Sequence, residues 1–424
     1  MHIETQCLHE GYKPGNGDPK ALPIYQSTTY TYDSTDHIGQ LFDLTAAGHM
    51  YSRISNPTVA AVEEKIAALE GGVGALCTTS GQAASLLAVL NVCEAGDNFV
   101  AASTIYGGTL NLFGVTLKKF GIECRFVNAD DDEETIGAQF DARTRALFGE
   151  TIANPALRVL DIEKFAHIAH AHGVPLIVDN TFATPVLCRP FEWGADVVVH
   201  STTKYMDGHA LQVGGVVVDS GKFPWQEHAD KFPGLTTPDE SYHGVTYTKD
   251  FGAAAYITKA RVQLMRDFGM YPGALAAFLL NLGLETLAVR MDRYCDNAEQ
   301  VAAYLETKPQ VEFVNYAMLP SSRDYALARK YLPKGACGVI SFSIRGGREV
   351  AVKFMDSLKL ANNEVHVADI CTCVLHPASS THRQLTDEQL VAAGITPGLI
   401  RLSVGLEHVD DIIEDLENGF AALG

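Results

Sequence analysis

Hydrophobic positions in this chain gather into short continuous runs rather than alternating ones. Val174-Pro175-Leu176-Ile177-Val178 ends on Asp179, and Ala195-Asp196-Val197-Val198-Val199 leads into His200-Ser201-Thr202-Thr203-Lys204. Continuous β-branched runs of this length predict strands buried on both faces, as in a parallel sheet. Further strand candidates lie at 74–79, 98–102, 121–126, 146–151 and 214–218. Helical spacing separates them. Asn56-Pro57-Thr58 opens one helix through Val59, Val62, Ile66 and Leu69, which Gly71-Gly72 stops. Others are predicted at 85–92 and 162–172. This βα alternation predicts a mostly parallel sheet sandwiched by helices.

Outside that block the pattern changes twice. Residues 1–57 are rich in Gly, Pro, Tyr and Thr with weak periodicity, which predicts an extended arm lying on a neighbouring subunit. Residues 223–244 are rich in Pro, Gly and aromatics, the composition of a long ordered loop. Helical patterns return over 253–304. A smaller α/β unit follows, with strands at 338–344 and 399–405, helices at 350–358 and 409–422, and a loop His376-Pro377-Ala378-Ser379-Ser380-Thr381-His382. At 424 residues the chain exceeds one ordinary core. The expected fold is a two-domain α/β enzyme: arm 1–57, large domain 58–275 and small C-terminal domain 276–424.

A net charge of −19 disfavours nucleic acid or an anionic membrane as partner. No apolar run approaches the roughly 18–20 residues of a membrane span, and the N-terminal residues lack signal-peptide character. The nine cysteines are scattered, without Cys-x-x-Cys, and no His-Glu-x-x-His occurs. Free thiols, no metal and a cytoplasmic location are therefore expected.

The chemistry gathers at strand ends, where open parallel sheets bind ligands. Taken singly, Asp179 reads as a turn cap and Lys204 as a surface lysine. Together at one rim they suit pyridoxal 5′-phosphate: a lysine amine forms a Schiff base with its aldehyde, and a carboxylate keeps its ring nitrogen protonated. Ser201 and Thr203 offer hydroxyls to a phosphate. The turn Ser80-Gly81-Gln82-Ala83-Ala84 opens a helix, so the N–H groups of Gly81 and Gln82 form a candidate phosphate cradle. Tyr106, at the same rim, is either a ring that stacks on a planar cofactor or a loop anchor. Arg401, between Ile400 and Leu402 in a strand, calls for an anionic partner if its face is interior. A substrate carboxylate, an internal salt bridge and a solvent-facing strand all remain open.

Five blocks in order resemble the Cys/Met-metabolism family of pyridoxal-phosphate enzymes. They are Tyr51-Ser52-Arg53-Ile54-Ser55-Asn56-Pro57-Thr58, Ser80-Gly81-Gln82-Ala83-Ala84, Val178-Asp179-Asn180-Thr181-Phe182, His200-Ser201-Thr202-Thr203-Lys204-Tyr205 and His376-Pro377-Ala378-Ser379. The resemblance implies a fold-type I architecture assembled as a homotetramer of tight dimers with shared active sites. It makes Lys204 the Schiff-base lysine, Asp179 the partner of the ring nitrogen and Tyr106 the stacking ring. Gly81, Gln82, Ser201 and Thr203 would hold the phosphate. Tyr51 and Arg53 would reach the phosphate of the neighbouring subunit, and Lys204, Tyr106 and Tyr51 would be the catalytic residues. Asn154 would lie near the ring hydroxyl and the substrate, and Arg401 would clamp the substrate carboxylate.

The loop 232–244 and the segment Tyr106-Gly107-Gly108-Thr109-Leu110-Asn111-Leu112-Phe113 resemble the branch that acts on O-acetyl-L-homoserine. The implied activity is γ-replacement by sulfide or methanethiol, with methionine γ-lyase or cystathionine γ-synthase/lyase chemistry as alternatives. Methionine γ-lyases usually carry a cysteine where this chain has Gly108. The chain departs from the family at His366-Val367-Ala368-Asp369, where many relatives have Ser or Asn, then Val/Leu-Gly-Asp.

Overall fold

The continuous apolar runs form the centre of a seven-stranded sheet in the computed structural model, which describes residues 1–381, 383 and 396–424. His382, at the end of the predicted 376–382 loop, lies outside the described residues. The strands are β1 (Gly74–Thr78), β2 (Asn98–Ala102), β3 (Glu123–Val127), β4 (Thr144–Glu150), β5 (Leu176–Asp179), β6 (Val197–His200) and β7 (Gly215–Asp219). They lie in the order β1-β7-β6-β5-β4-β2-β3. All neighbouring pairs from β3 to β6 are parallel, whereas β7 runs antiparallel to both β1 and β6. The alternation of strand and helix did not foretell this reversal. β7 is buried at every position, like its parallel neighbours, so its apolar run carries no mark of direction.

Helix Pro57–Glu70 packs on β1 and β7, helix Gly81–Leu90 on β6 and β7, and helix Ile162–Ala171 on β4 and β5. Their starts follow from local chemistry. Asn56 and Ser80 are N-caps whose side chains accept the N–H groups of Thr58 and Ala83, at 3.0 and 3.1 Å. Gly71 closes the first helix in the left-handed conformation (φ 79°).

A five-stranded sheet follows, in the order β10-β11-β12-β9-β8. It comprises β8 (Val311–Asn315), β9 (Val339–Ile344), β10 (Asn362–Asn363), β11 (Cys373–Leu375) and β12 (Leu399–Ser403). Helices Gly347–Asp356 and Val409–Ala421 pack against each other beside it. The helical pattern over 253–304 is broken at Gly269 and Pro272. It resolves into short turns up to Phe268 and two longer helices, Ala274–Glu285 and Leu287–Glu306. The first 57 residues hold two helices, Ile3–His9 and Thr35–Phe42. The former packs on helices Pro57–Glu70, Ala274–Glu285 and Leu287–Glu306 and buries Cys7. That part of the predicted arm therefore belongs to its own chain's core. The loop over 223–244 is ordered around Trp225, whose ring stacks on Tyr256 at 5.5 Å and meets Phe232 edge-on at 5.0 Å.

Helix Ala274–Glu285 presses Gly283 onto the lysine-bearing segment. A methyl there would run into the carbonyl oxygens of Met206 and Asp207, the latter at 2.6 Å. Gly283→Ala is therefore expected to destabilise the protein by about 1–3 kcal/mol, the usual cost of overpacking. Gly39→Ala, where a methyl meets nothing within 4 Å, serves as the control. Urea unfolding of both variants checks this.

Candidate active site

β4, β5 and β6 end on Glu150, Asp179 and His200, so three ionisable side chains share one edge of the sheet. A cavity of about 290 Å³ opens beyond that edge. It brings together nine of the predicted site residues: Gly81, Gln82, Tyr106, Asn154, Asp179, Ser201, Thr203, Lys204 and Arg401.

Asp179 forms part of the cavity wall. Its Oδ1 accepts both the N–H and the hydroxyl of Thr181, at 3.0 and 2.5 Å. The same hydroxyl oxygen accepts the N–H of Ser201 at 2.8 Å, tying the end of β5 to the turn after β6. Burial pushes the Asp179 carboxyl above its ordinary range, and the two bonds from Thr181 oppose that. No cation forms an ion pair with it among the described residues, so the group is suited to receive one from a ligand.

Lys204 sits in the connection between β6 and β7. The Thr203 hydroxyl accepts the Gly214 N–H at 3.0 Å and donates to the Gly214 carbonyl at 3.2 Å, closing that loop. Burial and then the Arg401 charge lower the Lys204 amine to about 8. The neutral, nucleophilic form thus comes within reach of physiological pH.

Arg401 is interior, 8% exposed, between fully buried Ile400 and Leu402. Its Nη2 donates to the carbonyls of Val365 and His366, both at 3.0 Å, and its Nη1 to Asn154 Oδ1 at 3.5 Å. No carboxylate pairs with it among the described residues. Burial lowers its pKa, and the guanidinium is suited to an anionic ligand. The family departure at 366–369 falls on this support. His366 supplies one of the two carbonyls, and Ala368 holds a left-handed conformation (φ 67°) while donating its N–H to Ser403 at 2.8 Å.

Ser80 caps the helix that begins at Gly81 and Gln82, so the N-terminal end of its dipole borders the cavity. A Cβ at Gly81 would lie 2.6 Å from Ser201 Cβ, so only glycine lets helix and turn approach. The donor set fits pyridoxal phosphate: helix N-terminus and hydroxyls for the phosphate, Asp179 for a cationic ring nitrogen, Lys204 for the aldehyde. Tyr106 leads into the short helix Gly107–Asn111 with its ring half exposed. A side chain at Gly108 would meet that ring at 2.5 Å.

Tyr51 and Arg53 are not brought into this cavity. Tyr51 is exposed, and Arg53 lies 5.4 Å from its ring while donating to the Arg266 carbonyl. Glu150, to which no role was attached from sequence, does line the cavity, and its Oε2 accepts the Tyr106 N–H at 2.7 Å. Its signal was available, since it ends an apolar run just as Asp179 does. His376 anchors its loop instead, through Ser379 and the Pro397 carbonyl, both at 2.8 Å.

In cofactor-free protein, modification of Lys204 by an amine-selective reagent is expected to rise with a midpoint near pH 8. Deprotonation creates the reactive form, so reactivity increases with pH. Arg401→Gln removes a neighbouring positive charge and should move that midpoint upward. Peptide mapping of the labelled lysine across a pH series measures both.

The family model for Cys/Met metabolism PLP-dependent enzymes matches residues 4–421. The chain is 46% identical over 435 residues to the homocysteine/cysteine synthase of Kluyveromyces lactis, covering 100% of this chain and 98% of that protein. It is 46% identical to the O-acetyl-L-homoserine sulfhydrylase of Corynebacterium glutamicum, over 99% of this chain and 97% of the other. Among solved structures, an O-acetylhomoserine (thiol)-lyase of Campylobacter jejuni superposes with a TM-score of 0.95 at 38% identity, covering 99% and 100% of the two chains. That protein carries an N′-pyridoxyl-lysine-5′-monophosphate residue. With an amine, a carboxylate and a helix N-terminus converging on one cavity, the chain belongs to the Cys/Met metabolism PLP-dependent enzymes.

Proposed function

We propose that this enzyme replaces the acetoxy group of O-acetyl-L-homoserine with sulfide, giving L-homocysteine and acetate, or L-methionine when methanethiol is the donor. The observation that carries the reading is the buried Arg401, without a carboxylate partner among the described residues, in the same cavity as the Lys204 amine. Full-length similarity to sulfhydrylases supports it. So does Gly108, whose lack of a side chain leaves room for the Tyr106 ring.

Bound pyridoxal phosphate supplies an aldehyde that captures amines and a protonated ring that withdraws electrons. Lys204 would hold that aldehyde, and its amine, when not so engaged, would take the substrate Cα proton and return one, a task for which a pKa near 8 suits it. Asp179 keeps the ring nitrogen protonated. Gly81, Gln82, Ser201 and Thr203 would hold the phosphate, Tyr106 would cover the ring, and Asn154 would serve the ring hydroxyl. Arg401 receives the substrate carboxylate, fixing which Cα bond faces Lys204. Tyr51 and Arg53, which do not line their own chain's cavity, serve the neighbouring subunit's phosphate in a homotetramer built from tight dimers.

Purified enzyme given O-acetylhomoserine is expected to form homocysteine only when sulfide is added. Release of 2-oxobutanoate and ammonia without a thiol would instead make it a lyase. Lys204→Ala should lose the borohydride-reducible link to the cofactor and nearly all turnover. Asp179→Asn should retain cofactor while the chemical step falls steeply, as stopped-flow absorbance would show.

Shared sites have their own test. Arg53→Ala and Lys204→Ala proteins, each nearly inactive, should regain up to about a quarter of wild-type activity after subunit exchange. Random pairing makes half the dimers mixed, each with one intact site of two. No recovery despite demonstrated exchange would place Arg53 outside the partner's site.

A further inference from the structure

Glu150 and Asp179 are register partners on the parallel strands β4 and β5, each the last residue of its strand. Both line the active-site cavity. Glu150 is 7% exposed and has no ion-pair partner among the described residues. The cations on its other side, in a second cavity of about 150 Å³, are engaged elsewhere. Arg158 pairs with Asp324 at 2.5 Å and Asp130 at 2.8 Å, and Lys164 donates to the carbonyls of Ala129 and Asp131 at 2.7 and 2.9 Å. Two carboxylates side by side, Glu150 buried and Asp179 half-buried at the cavity wall, with no cation between them among the described residues, oppose each other's ionisation. Asp179 receives two hydrogen bonds from Thr181, Glu150 one from the Tyr106 N–H, so the proton falls to Glu150.

We propose that Glu150 is a positioning residue: it pins the backbone of Tyr106 to the end of β4, and does so as an un-ionised acid that leaves Asp179 as the anion beneath the cofactor. The pin has a clear mechanical sense. Tyr106 is half exposed and leads into a helix of only five residues, so its ring has little packing of its own to aim it. The hydrogen bond from its N–H to Glu150 ties it to the rigid sheet edge. The neutral form matters equally. A second negative charge beside Asp179 would strengthen proton retention throughout the site, including at Lys204. The other ionisable side chains lining this cavity are Tyr106, Lys204 and Arg401.

This inference rests on placement of the cofactor in this cavity, and the spectra that decide it need no substrate. The holoenzyme is titrated by visible absorbance and circular dichroism, alongside Glu150→Gln, Glu150→Leu and Glu150→Asp. Gln keeps an acceptor for the Tyr106 N–H and is neutral like the acid. Its absorbance midpoint should stay within about 0.3 pH unit of wild type, and kcat within about threefold, because no charge is lost. Leu has no acceptor, and Asp is one methylene too short. Both should alter the cofactor's dichroic band and lower kcat about tenfold or more, with the Gln variant retaining wild-type behaviour. A midpoint shift of about one unit or more in the Gln variant means that Glu150 is ionised and overturns the proposal. Wild-type dichroism in Leu or, should Leu not fold, in Asp removes the pin and overturns it equally. Because the spectra are read without substrate, failure of the O-acetylhomoserine reading leaves this result intact, and the reverse also holds.

Discussion

A carboxylate half-buried at the sheet edge, with no cation at contact distance among the described residues, is the constraint around which the active-site edge of this fold is arranged. Isolated, such a group is costly. Asp179 is kept serviceable by what surrounds it. Thr181 donates to it twice and hands the connection on to Ser201. The next layer is polar as well. Asn180 donates to Glu70 at 3.0 Å and accepts from Thr151 at 2.9 Å, while Glu70 also bonds His200 at 2.6 Å. The residues that follow β5 and close β6 are thus fixed by bonds running across the sheet, not only along it. A network of this kind holds side chains to one arrangement, which an apolar layer would not do.

The opposing charge comes from the other sheet. Arg401 enters on β12, and its guanidinium is supported by the carbonyls of Val365 and His366, with no acid paired to it among the described residues. Carbonyls orient a cation without neutralising it. The charge therefore remains available, and it lowers the pKa of Lys204 across the cavity. Acids at the rim of the large sheet and a free guanidinium from the small one create a polarised gap suited to a zwitterionic amino acid.

Much of this was legible in sequence because of where the apolar runs stop. Asp179 and Lys204 stood out as polar residues directly after buried strands. Glu150 has the same signature, but the strand at 146–151 was read through it to Thr151, so its position at the edge was hidden. Arg401 was visible as an arginine inside a strand, yet its surroundings were not, because its carbonyl partners sit 35 and 36 residues away in sequence. The direction of β7 was illegible, since a fully buried strand has the same composition either way. The helix Ile3–His9 was hidden by its length and by the Gly- and Pro-rich residues after it. Its stability comes from tertiary contact, to which periodicity is blind.

The antiparallel return of β7 has one more effect. Because β6 and β7 are hydrogen-bonded neighbours, the segment carrying Lys204 is anchored at both ends to the same pair of strands and clasped by Thr203 and Gly214. The clasp shortens the part of this connection that is free to move. Shuttling of the lysine amine then calls on rotation about its own methylene bonds, a faster class of motion than loop displacement at nanoseconds to microseconds. The fold thereby separates the mobility that chemistry requires from the slower motions that admit substrate and release product.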